Sequence, residues 1–172
     1  MPETIDTSRK TKVLMNEWDI GVRAITTSEA FMHRMIGKQV DVLQVDCLHA
    51  LLGTEMAIVT HNGMADVADA MAEEFADRLR ATAEVPERAE AVIDRSMRLV
   101  GDYCSEAQKI IGGAEASGKD RDEVLNALAE EFARWIGFEP DAEDIENIAD
   151  ELDTFDEACQ MDPDERIRTM LG

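Results

Sequence analysis

Apolar side chains recur along this chain at three- and four-residue intervals, and nowhere do they alternate with polar ones over a turn-bounded strand. The first such segment opens near Thr7 or Ser8, either of which can cap a helix, and is expected to run to about Gly37. Leu14, Trp18, Val22, Ile25, Met32 and Ile36 share its inward face, and Gly21 marks a bend or a close contact. A second helix is expected from about Gln39 to His61, ended by the left-handed exit that Asn62-Gly63 supplies. It is apolar on more than one side, from Val40, Leu43 and Val45 through Leu51, Leu52, Met56, Ile58 and Val59. Such a helix belongs at the centre of a bundle or in a subunit interface. Ala50, Gly53 and Ala57 add a strip of small residues where another helix can come close.

Four more amphipathic segments follow. One spans about Met64 to Glu84, with Val67, Met71, Phe75 and Leu79 inward. The next starts at Pro86, tolerated in a first helical turn, and carries Ile93, Met97, Val100, Cys104 and Ile111. Gly112 to Lys119 reads as a linker. Beyond it Asp120 caps a helix with Leu125, Leu128, Phe132 and Trp135, and Asp141 caps another with Ile145, Ile148, Leu152 and Phe155. Pro163 opens a short last helix. The expected fold class is therefore all-α: a helical bundle of about six helices plus a short C-terminal helix. Residues 1–111 form a four-helix part and 119–172 an acidic helical hairpin with the short helix, joined through 112–118 into one compact unit. At 172 residues such a unit buries roughly 70% of the unfolded chain's surface and needs no disulfide or metal to fold.

Charge changes this picture by its position. The formal charge is −21, from 38 acids and 17 bases, which argues against a protein that grips phosphate backbones. Residues 1–61 carry a net of only −2, whereas residues 120–172 carry 18 acids against 4 bases, a net of −14. Glu143 and Glu146, Glu146 and Asp150, and Asp153 and Glu157 stack like charges at three- and four-residue spacing, which opposes helix formation by a few tenths of a kcal/mol per pair. An uncompensated hairpin of this kind suits electrostatic steering of a basic protein. Glu143, Glu146, Asp150, Glu151, Asp153 and Glu157 are the candidate binding face, with Trp135 and Phe138 as the apolar anchor. Solubility and adaptation to high salt are the competing explanations of the same acids.

Candidate chemistry is sparse. Cys47, Cys104 and Cys159 are an odd, widely spaced set that reads as reduced, and Met1-Pro2-Glu3 leads into a polar stretch rather than a signal peptide. Asp41, Asp46, His49 and Glu55 interrupt the most apolar segment, so no membrane span is expected and the chain is read as cytoplasmic. If the first two helices pair about Gly37, Glu29, His33, Asp46, His49 and Glu55 approach one another as a carboxylate–imidazole set of the kind that binds Mn, Fe or Zn. Bundle di-metal sites use Glu-x-x-His twice, and this chain has only the Asp46-Cys47-Leu48-His49 variant, once. Neither a calcium loop nor a phosphate-binding loop is present. The leading expectation is a non-enzymatic binding or regulatory protein. It docks a basic protein, or occludes a nucleic-acid-binding surface, through its acidic hairpin, with self-association through the apolar second helix. A metal-binding bundle or enzyme using the His/carboxylate set is the alternative.

Overall fold

The computed structural model describes residues 2–28, 31–32, 40–137, 139–163, 165 and 168, with the backbone alone at 2–6 and 40–45. Every regular element among these residues is helical, and none is a strand. The six long helices are α1 (Pro2–Thr26), α2 (Val40–His61), α3 (Ala65–Thr82), α4 (Pro86–Ala116), α5 (Arg121–Trp135) and α6 (Ala142–Gln160). Pro163, Glu165 and Arg168 are helical as well, as the short C-terminal helix requires.

The central element is α2. Cys47 and every residue from His49 to Val59 are buried, so this helix has no solvent side over three turns. It packs against all five other helices. Those five also pack on one another in a closed order, α1 on α3, α3 on α4, α4 on α5, α5 on α6, and α6 back on α1. The architecture is thus a ring of five helices around a sixth. One core runs through it, from Leu14 and Trp18 of α1 to Leu128 and Phe132 of α5 and Leu152 and Phe155 of α6. Each fully buried leucine of this set contributes about 1.5–3 kcal/mol.

The small strip on α2 determines how close α4 lies. A Cβ at Gly53 would sit 2.6 Å from Tyr103 Cβ, 2.7 Å from the Val100 carbonyl oxygen and 2.9 Å from the Cys104 nitrogen. Two of those atoms are backbone, which cannot swing aside. Only glycine fits there. Thr54, next in sequence and fully buried, satisfies its hydroxyl by donating to Ala50 O at 2.8 Å.

Most helix ends fall where the local chemistry puts them. Gly63 has φ +81°, the left-handed exit expected of Asn62-Gly63. Asp120 and Asp141 each form a reciprocal capping box, with Glu123 and Asp144. Two boundaries differ from expectation. The first helix stops at Thr26, not near Gly37, because Thr26, Thr27 and Ser28 in succession donate their hydroxyls to the carbonyls of Val22, Arg23 and Ile25. The stretch read as a linker is helical as far as Ala116, since Ile111 and Ala114 still have core to bury into. The true connection is Ser117 to Asp120.

Gly53→Ala is expected to destabilise the fold by about 1–3 kcal/mol through overpacking. Gly101→Ala, exposed in mid-α4 with nothing within 4 Å of its Cβ position, is expected to stabilise by up to about 1 kcal/mol. Urea unfolding of the two variants separates close approach from helix propensity.

Candidate functional site

The acidic hairpin is built by two caps and one cation. Asp141 Oδ1 accepts from the Asp144 amide at 2.8 Å and Asp144 Oδ2 from the Asp141 amide at 3.0 Å, starting α6. Ile148, Ala149, Leu152, Phe155, Ala158 and Cys159 then turn inward. Arg121, at the start of α5, reaches across to Asp153 and to Asp156 Oδ2 at 2.9 Å. Asp156 is itself buried and also accepts from Asn62 Nδ2 at 2.9 Å, so one carboxylate ties the ends of α2, α5 and α6 together. Spacing alone could not single out Asp156. Its three partners lie on other elements or on its own next turn.

The six candidate acids of α6 separate into three groups. Glu143, Glu146, Asp150 and Glu157 are exposed, and none has an ion-pair partner among the described residues. Glu143, Asp150 and Glu157 recur every seven residues, so they form one stripe along the outer face. Asp153 is engaged by Arg121. Glu151 is half-buried and faces inward, toward α1. Trp135 is also half-buried, its ring 5.3 Å from that of Tyr103 on α4, and Phe138 lies outside the described residues.

Glu151 belongs to a second feature that sequence spacing did not reveal. A Cβ at Gly21 of α1 would lie 3.5 Å from Glu55 Oε1 and 3.9 Å from Glu151 Oε2, so glycine leaves room for carboxylates of α2 and α6 at one point. Glu55 is only 2% exposed, and its Oε2 has no hydrogen-bond partner. Burial, then the charges of Glu17, Glu151 and Asp19, push the Glu55 carboxyl well above the usual range. Burial, then Glu17 and Asp150, raise Glu151 as well. A buried carboxyl without a cation takes up a proton.

Of the proposed metal set, the members within the described residues do not converge on one point. Glu29 and His33 lie outside the described residues. His49 and Glu55 stand six residues apart on α2, roughly 120° apart around its axis. The His49 ring meets Phe75 of α3 edge-on at 5.8 Å, while Glu55 faces α1 and α6. Asp46 is half-buried a turn before His49. Among the described residues no three His, Cys, Asp or Glu side chains converge to hold a metal ion. The cysteines are free; Cys47 and Cys159 are buried, and burial with nearby carboxylates pushes the Cys47 thiol up to about 12. No helix is long and apolar enough to cross a membrane among the described residues.

No protein family, curated protein or solved structure matches the chain. The site is therefore read from its own chemistry.

Because the folded pKa of Glu55 is raised, the native state keeps a proton that the unfolded chain releases above about pH 4.3. Its contribution to stability is full below that pH and is lost as pH rises toward the folded value, with a limiting slope of about 1.4 kcal/mol per unit. Glu55→Gln is expected to remove this slope and to gain on the parent protein as pH rises. Urea unfolding of both proteins across that range checks it; a constant difference would mean that Glu55 is ionised in the native state.

Proposed function

We propose that this protein is a helical binding module whose acidic α5–α6 hairpin docks a basic protein surface, including one that otherwise binds nucleic acid. The supporting observation is the stripe of Glu143, Glu146, Asp150 and Glu157, exposed and without counter-ions among the described residues, on a helix that has no base at all. Like charges at these spacings work against the helix that carries them. The same charges raise the local concentration of a cationic partner and speed its arrival. Arg121 holds Asp153 and Asp156 in place, which fixes the hairpin and leaves the outer stripe as the face that is unneutralised. The chemistry of the partner follows: lysine- or arginine-rich, approached over a distance set by the salt concentration.

Neutralising the stripe (Glu143→Gln, Glu146→Gln, Asp150→Asn and Glu157→Gln together) is expected to slow association with a labelled Lys/Ala helical peptide by roughly tenfold or more at low salt. The fold is expected to be unchanged or more stable by about 0.5–1 kcal/mol, as repulsion along α6 is relieved. Four equal neutralisations elsewhere (Glu73→Gln, Glu87→Gln, Asp94→Asn and Asp102→Asn) serve as the control of net charge. Stopped-flow rates that fall equally in both variants would assign the effect to total charge and remove the docking face.

A further inference from the structure

Away from the acidic hairpin, the α3–α4 end of the molecule is incompletely covered. Before Val100, α4 buries only Ala89, Ile93 and Ser96, and the first two pair with the end of α3 in a small cluster separate from the main core. Two helices cannot enclose an apolar face by themselves. Beside that cluster Val85, Val92 and Leu99 are 45%, 52% and 38% exposed, three of the five exposed large apolar side chains among the described residues. Val92 and Leu99 stand seven residues apart on one line of the helix, and Val85, its N-cap, precedes Val92 by the same interval. A groove of about 290 Å³ runs between α3 and α4 beside the two valines, floored by Leu79, Ala89 and Ile93.

The charges bordering this line have the opposite sign to the rest of the surface. Arg88 and Arg95 stand three residues after Val85 and Val92, so the face reads Val85, Arg88, Val92, Arg95, Leu99 at alternating three- and four-residue steps. Arg98 adjoins Leu99. Among the described residues none of the three arginines has an ion-pair partner, although the chain carries more than two acids for every base. Arg78, Arg80, Arg121 and Arg134 are all engaged by carboxylates. Glu84 at the entrance of α4 and Asp102 beyond Leu99 close the two ends of the face.

We propose that this face is a second docking surface, and that its occupant is an acidic amphipathic helix from another protein. The occupant lays an apolar seam over Val85, Val92 and Leu99, completing a three-helix bundle with α3 and α4. Its carboxylates pair with Arg88 and Arg95. A second copy of the same face fits less well, because antiparallel self-pairing about Val92 crowds arginine against arginine. The overall charge of −21 opposes an acidic partner at long range, but at physiological ionic strength the Debye length is about 8 Å and the bordering arginines decide. The surface is distinct from the α6 stripe, and the two differ in the sign of the partner they take.

The test uses fluorescence anisotropy with two labelled heptad peptides, both with leucine at the seam positions, one with glutamate and one with lysine at the flanking positions. The protein carries the four neutralising α6 substitutions, so that the acidic stripe does not capture the lysine peptide. The glutamate peptide is expected to bind and the lysine peptide to bind at least about tenfold more weakly. Arg88→Glu with Arg95→Glu is expected to reverse that order, and Val92→Asp to abolish both, with the circular dichroism melt unchanged since these positions are exposed. Absence of glutamate-peptide binding, or equal binding of both peptides, overturns the proposal. A sedimenting dimer that Val92→Asp dissociates overturns it too, and assigns the face to a second copy.

Discussion

The approach of α4 to α2 at Gly53 governs the rest of the architecture. With Val100 O, the Cys104 nitrogen and Tyr103 Cβ against Gly53, α2 is held close to α4, and no solvent reaches its middle turns. A helix that is apolar on all sides must be enclosed. The enclosure here takes five helices, each packing on two neighbours in the ring as well as on the centre. That arrangement in turn determines which side chains meet. Gly21 on α1 faces Glu55 on α2 only because the ring brings α1 and α6 to that flank together.

The polar groups divide according to whether the ring gives them a partner. Asp156 receives Arg121, Asn62 and Gln160 and joins three helix ends. Asp19 is tied to Arg78, whose guanidinium also lies 5.8 Å over the Trp18 ring. Glu55 receives no cation among the described residues, and burial beside other carboxylates favours its protonated form. The exposed α6 stripe lacks partners for a different reason, since none of the described residues folds over it. Carboxylates without a counter-ion among the described residues therefore occur both inside, at Glu55, and outside, along α6.

Much of the fold was legible in the sequence because its signals are local. Asn62-Gly63, Asp120, Pro86 and Asp141 act within one helical turn of themselves, and each marks the boundary it was expected to mark. The apolar run from Leu48 to Val59 announced a central helix through composition alone. What escaped was of two kinds. At Gly112-Gly113 weak helix formers were outweighed by burial of Ile111 and Ala114 on either side. At Glu55, Glu151 and Asp156 the decisive neighbours lie on helices far away in sequence, and period says which face a residue occupies but not what stands opposite. Within the proposed metal set, His49 and Glu55 diverge for the same reason, since spacing places both on α2 but does not say which helices flank them. In the ring they look to different helices.

The length of α4 has a mechanical consequence. Its 31 residues form one uninterrupted helix of about 46 Å, running from the arginine-bordered groove at Pro86 to the turn that launches the acidic hairpin. A helix of that length does not change its span under thermal motion as a flexible linker does. The two surfaces it connects are consequently mounted on a common strut. Any two molecules bound at its ends are held at a set separation and in a set relative orientation, so the chain has the geometry of a gauge block between them.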